Sequence, residues 1–215
     1  MLKLGVLISG RGTNLQSLIE SCQRADFPAE IVTVISNRPD ALGLERARHH
    51  GLKAVALDHK AFKSREAFER AMDGELKSAG VELVCNAGFM RILTDWFVDE
   101  WMDRQINIHP SLLPAFRGIH VHERVLEAGV RLTGCTVHYV RAEMDAGPII
   151  AQAAVPVLPG DKPEDLEVRV LQSEHRLYPL AVRLIAEGKV RVENERVVFT
   201  DAPAPGTPLF SPGLA

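Results

Sequence analysis

Leu2-Lys3-Leu4-Gly5-Val6-Leu7-Ile8-Ser9-Gly10-Arg11-Gly12-Thr13-Asn14 runs from an apolar stretch straight into a glycine loop. The apolar run over 2–8 suits a parallel strand buried on both faces. It is short and soon interrupted, so it reads as a core strand and not a signal peptide. Past the loop, Leu15, Leu18, Ile19 and Cys22 recur at i, i+3, i+4 and i+7, the spacing of one buried helix face. Strand, glycine loop and helix in that order make a first βα unit.

The same unit repeats. Strands are expected at 31–36, 54–57 and 81–85, with helices near 41–50, closed by Gly51, and from a Ser64 cap to about Ala79. That second helix turns Phe68, Ala71, Met72 and Leu76 inward. Thr94 caps a short helix holding Trp96, Phe97 and Trp101. The β-α-β-α alternation indicates an α/β fold, a Rossmann-like three-layer open sheet, mostly parallel in the N-terminal half. The C-terminal half is mixed: a helix near 121–128 stopped by Gly129, strands at 132–140 and 149–157, and a hairpin over 190–199. Asp161-Lys162-Pro163-Glu164 has capping-box spacing and opens a helix to Glu187, with a bend expected near Pro179. One domain is expected over 1–200, followed by a proline-rich tail over 201–215.

Composition narrows the function classes. The 215 residues are 46% hydrophobic and carry a net charge of −3, with a pI near 6.2. Nothing in that balance advertises nucleic acid or an anionic membrane as a partner. No apolar run approaches the ~18 residues of a membrane span. Cys22, Cys85 and Cys135 are odd in number and set among apolar residues, which reads as reduced core cysteines of a cytoplasmic protein.

Two stretches carry chemistry. Gly10-Arg11-Gly12-Thr13-Asn14 sits where helix N–H groups and dipole can hold an anion. Leu15 stands where a dinucleotide fingerprint needs glycine, Asn37-Arg38 where it needs an acid, and no P-loop lysine is present. A single phosphate on a small substrate is the sharper reading, a bare tight turn the plainer one. In Asn107-Ile108-His109-Pro110, an amide and an imidazole at i and i+2 of a strand share one face. Pro110 ends the strand, and Leu113-Pro114 is a candidate cis bond. Asp145, in the loop Met144-Asp145-Ala146-Gly147-Pro148, would favour the His109 imidazolium if it came close. These three either form a reacting centre or merely tie loops together. His120 and His122 lack the i, i+4 spacing of a zinc helix and read as solvated, so no metal is expected. Glu174 and His138 look unremarkable on spacing alone. Phe89-Met90-Arg91-Ile92-Leu93 is either core or an apolar slot for a flat ring.

Together the stretches Ile8–Leu15, Ser36-Asn37, Gly43–Ala47, Ser64–Glu66, Ala87–Leu93, Asn107–Pro114, Met144–Pro148 and Gln172–His175 resemble the phosphoribosylglycinamide formyltransferases, folate-dependent enzymes of purine synthesis. The likeness runs from Leu4 to about Phe199. It implies a formyltransferase fold with a nucleotide-phosphate half over 1–103 and a folate and catalytic half over 104–200. It implies that Gly12, Thr13 and Asn14 hold the ribose phosphate and that Glu174 binds the glycinamide end. Met90, Arg91, Ile92 and Leu93 would line the folate pocket, with Arg141 to Asp145 closing over it. Arg65 would contact a ligand, with the folate side favoured and the substrate phosphate as the other possibility. Asn107, His109 and Asp145 would be catalytic, with Asn107 and Asp145 also touching the folate. The implied reaction is direct attack of the glycinamide amine on 10-formyltetrahydrofolate, a cosubstrate, with no metal.

Departures from the pattern are few. Cys85-Asn86 stands where apolar residues are more usual, which predicts an added hydrogen bond beside the folate loop. Ala115-Phe116-Arg117 occupies a stretch where a lysine is common. Methionyl-tRNA formyltransferase shares the Asn-x-His element but carries an RNA-binding barrel, for which no room is left after Phe199. Formyltetrahydrofolate hydrolase usually adds an N-terminal regulatory domain, whereas here the pattern begins at residue 4. A non-catalytic binding module is disfavoured by the intact Asn107, His109 and Asp145, and a dinucleotide oxidoreductase by Leu15 and Asn37. The expected partners are small molecules, with no nucleic acid and no membrane, and a monomer or homodimer is expected.

Overall fold

Leu2–Ile8 forms β1, and all but its first two residues are buried. In the computed structural model, which describes residues 1–201 with 206, 209 and 211, the chain continues as α1 (Thr13–Cys22), β2 (Ala29–Ser36), α2 (Leu42–His49) and β3 (Ala54–Ala56). Next come α3 (Arg65–Ser78), β4 (Leu83–Asn86), α4 (Asp95–Glu100), β5 (Gln105–His109) and α5 (Val121–Glu127). The rest is β6 (Leu132–Tyr139), β7 (Ile149–Pro156), α6 (Pro163–Ala186) and the hairpin of β8 (Val190–Glu193) and β9 (Arg196–Phe199). The sheet order is β3-β2-β1-β4-β5-β6-β7. β1 pairs parallel with β2 and β4, β2 with β3, and β4 with β5; β6 and β7 pair antiparallel. The expected doubly covered, mostly parallel sheet is the one observed. Apart from the positions just named, the proline-rich tail lies outside the described residues.

The chain divides into two compact units, Met1–Asn107 with Tyr139–Ala142, and Ile108–His138 with Glu143 onward. The first has a core of Leu7, Ile35, Phe68, Met72, Leu76, Val81, Val84, Phe97 and Trp101. Each large side chain buried there stabilises by roughly 1.5–3 kcal/mol. Ser64 and Thr94 are the caps expected, their hydroxyls accepting from Ala67 and Phe97 N–H. Buried Asp73 takes the Trp101 indole N–H at 3.1 Å, so α3 hides an acid among its apolar positions.

In the second unit, α6 packs on β7 and α5. Its start differs from the expected capping box by one residue. Lys162 is the cap, and the Asp165 carboxylate accepts its N–H at 3.0 Å. Asp161 instead forms a two-point ion pair with Arg169, at 2.6 and 2.8 Å. α6 runs as one helix through Pro179. The lost backbone bond and ring clash cost about 3 kcal/mol, offset by the burial of Leu177, Tyr178, Ala181 and Val182. All three cysteines are free, but Cys22 is only half-buried and not a core residue as expected. Burial pushes its thiol up to about 12, and that of Cys135 likewise, the Cys135 shift helped by the Glu174 charge. Among the described residues no helix is long and apolar enough to cross a membrane.

Candidate active site

β5 stops at His109 because Pro110 has no N–H for the next ladder bond. The turn that follows is built by short polar contacts. Ser111 Oγ donates to the Ala115 carbonyl at 2.6 Å. Thr136 Oγ1 donates to the Ser111 carbonyl at 2.7 Å and accepts the Leu113 N–H at 3.0 Å. The Leu113-Pro114 bond is cis. The turn delivers the Phe116 carbonyl to within 2.9 Å of His109 Nε2.

The opposite nitrogen, Nδ1, lies 3.4 Å from Asp145 Oδ2. Carbonyl and carboxylate oxygens only accept, so each ring nitrogen is placed to donate. His109 is 5% exposed. Asp145 holds φ at 53° and Phe116 at 55°, left-handed values that cost about 1–3 kcal/mol each unless neighbours fix them. The neighbours are present. The Gly118 N–H donates to Asp145 Oδ2 at 2.9 Å, and Arg117 meets Glu143 at 2.5 Å, joining the same two loops. His138 Nε2 faces the other carboxylate oxygen at 3.7 Å. One carboxylate thus sits among two imidazoles and an amide.

His138 is the member the sequence reading passed over. Its signal was a lone ring on the apolar strand β6, where it is 2% exposed. Asn107 stands two residues before His109 on β5, half-buried. Glu174, unremarkable on spacing, is 6% exposed and lies near enough to Cys135 to act on its thiol. His120 is exposed and faces Glu123 at 3.6 Å. His122, expected to be solvated, is half-buried; desolvation lowers its pKa, reinforced by His109 and opposed by Glu167 and Glu123.

The glycine loop belongs to the other unit. Gly12 caps α1 with φ at 70°, and a Cβ there would lie 2.8 Å from Gly43 Cα. Only glycine fits both the turn and the approach. No side chain caps α1, and Gly43 N–H closes on the Gly10 carbonyl at 3.0 Å. After β4, Met90 and Ile92 expose their side chains, while Leu93 and Phe89 pack on the core. The Arg91 guanidinium sits over the Phe68 ring at 5.6 Å. Asn86 Oδ1 accepts from Gln105 Nε2, at the start of β5, at 3.1 Å. Arg65 is exposed at the first position of α3. Arg141 pairs with Asp103 at 2.7 Å.

Comparison with known proteins gives this arrangement its relatives. Residues 2–182 match the formyl transferase family model. The phosphoribosylglycinamide formyltransferase of Escherichia coli (strain K12) is 44% identical over 91% of this chain and 92% of its own. The trifunctional purine biosynthetic protein adenosine-3 of Gallus gallus is 52% identical over 88% of this chain, which spans 19% of that protein's length. A crystal structure of glycinamide ribonucleotide transformylase 1 from Symbiobacterium toebii superposes with a TM-score of 0.91. It is 51% identical and covers 94% of this chain and 95% of its own. With its parallel sheet, glycine loop and paired His109 and Asp145, the chain belongs to the formyl transferase family.

Proposed function

We propose that the chain transfers the formyl group of 10-formyltetrahydrofolate to the amino group of 5-phosphoribosyl-glycinamide, in the cytoplasm. The observation that carries this reading is the Asp145 carboxylate held against His109 Nδ1. It accompanies a family match and extensive identity to phosphoribosylglycinamide formyltransferases. The amine nitrogen bonds to the formyl carbon, the bond from that carbon to the folate nitrogen breaks, and the amine's proton ends on the departing nitrogen.

The Asn107 amide would donate to the oxygen as negative charge gathers on it, and His109 would do so through Nε2, exchanging the Phe116 carbonyl for the formyl oxygen while Asp145 keeps Nδ1. One such donor is worth about 3–4 kcal/mol. Asp145 orients the ring and takes part in moving the proton. Gly12, Thr13 and Asn14 would hold the phosphate at the uncapped start of α1. Glu174 would take the glycinamide end. The exposed apolar side chains of Met90 and Ile92 suit a flat ring, with Arg91, Leu93, Arg65 and Arg141 completing the folate contacts. The residues present supply hydrogen bonds and charge, and the formyl group itself comes with the folate.

The test is to mix the protein with 10-formyltetrahydrofolate and follow deformylation with and without glycinamide ribonucleotide. Deformylation that depends on the amine is expected. Deformylation without it would point to a hydrolase, and turnover only with charged initiator tRNA would point to the tRNA enzyme. Either would overturn the proposal.

A further inference from the structure

One buried hydroxyl outside the reacting centre ties the end of β1 to two neighbouring loops. Ser9, 5% exposed, follows β1 directly. Its backbone N–H donates to the Gly88 carbonyl at 3.1 Å, and its Oγ accepts the Met90 N–H at 2.8 Å. A single serine therefore grips the backbone on both sides of Phe89. The hydroxyl proton goes to Asn37 Oδ1 at 2.5 Å. Asn37 is 3% exposed, and its backbone carbonyl lies 2.9 Å from His59 Nδ1. With its one proton given to Asn37, the Ser9 hydroxyl has a fixed direction in which to receive Met90.

The turn into α1 does not need that hydroxyl, because Gly12 supplies the left-handed step. What the hydroxyl secures is the segment that presents Met90 and Ile92, 72% and 64% exposed, to solvent. A loop that displays apolar side chains binds a ring best when its backbone is already in place, since ordering it on binding would weaken affinity. We propose that Ser9 is a positioning residue for the 88–93 loop, fixing the backbone against which the folate ring docks without touching either substrate. The proposal rests on reading Met90–Leu93 as the folate loop.

The test compares the wild-type chain with Ser9→Ala in calorimetric titrations with tetrahydrofolate and with glycinamide ribonucleotide. Loss of one hydrogen bond that leaves Met90 N–H and Asn37 Oδ1 unpaired should weaken tetrahydrofolate binding about tenfold. Affinity for the ribonucleotide should hold. KM for the folate should rise by the same factor while kcat at saturation stays near wild type. Amide exchange at Met90 should quicken. Asn37→Ala combined with Ser9→Ala should cost less than the sum of the two, because both break one relay.

Wild-type folate affinity in Ser9→Ala would overturn the proposal. So would equal loss of both ligands with a lowered unfolding midpoint, the mark of a merely structural serine. Ile92→Asp separates the two levels. If it abolishes folate binding while Ser9→Ala does nothing, only the role of Ser9 falls. If neither has an effect, the folate loop itself is misread.

Discussion

At the scale of single residues, His109 and Asp145 act as one unit. The carboxylate at 3.4 Å from Nδ1 and the Phe116 carbonyl at 2.9 Å from Nε2 hold the ring in one plane. Removing either partner leaves the other misaligned, so losses should not add. His109→Ala is expected to lower kcat by about 10²- to 10³-fold, and Asp145→Asn by a comparable factor. The double variant should be no slower than the worse single one. Steady-state kinetics on variants with intact circular dichroism would check this, and wild-type turnover in either would remove the pair from the mechanism. The i, i+2 spacing of Asn107 and His109 was legible because a strand's alternation is local. The partners that fix His109 were less so: Phe116 contributes a backbone carbonyl, which leaves no residue signature. His138 and Ser9 act across 7 and 81 positions of sequence. Such contacts exist only once the fold has formed.

At the scale of elements, the strand and helix order was legible because each element carries its own period and punctuation. Caps followed the same logic at Ser64 and Thr94. At α6 two acids competed for the capping role, and Arg169 drew Asp161 away, a choice set by a residue one helix face further on. Pairing between strands shows where a small residue is obligatory. Gly134 on β6 lies opposite Ala154 on β7. A Cβ on Gly134 would fall 1.8 Å from the Ala153 carbonyl oxygen. Backbone cannot yield as a flexible side chain can, so the two strands would have to part. Gly134→Ala is expected to destabilise by about 3 kcal/mol or more. Urea unfolding reads this directly, and a midpoint equal to wild type would show that β6 and β7 tolerate separation.

At the scale of the whole molecule, protonation couples many sites to one folding equilibrium. Hydrogen bonds from cationic partners hold several acids below their ordinary values, among them Asp161 through Arg169, Glu100 through Lys77, Asp40 through Arg38 and Glu187 through Lys189. The native chain binds fewer protons there than the unfolded one. Their stabilisation is therefore present above the unfolded values of 3.8 to 4.5 and is lost as pH falls through the lower folded values. Exposure keeps each contribution small. His122 acts in an earlier window. Burial is the main cause of its lowered value, with the His109 charge in the same direction and Glu167 and Glu123 opposing. Unfolded, it takes a proton at about 6.5, while the native ring stays neutral to lower pH. Across that interval the unfolded chain holds the extra proton, so stability rises with pH and falls on acidification. The urea midpoint of the wild-type chain should therefore drop between about pH 7.5 and pH 5.5, before the carboxylates begin to protonate. His122→Gln removes the titrating group but keeps a polar side chain of similar reach. Its midpoint should fall less over the same interval, and the two curves should run parallel again once the native ring is protonated as well. An equal drop in the variant would assign the first acid step to another group.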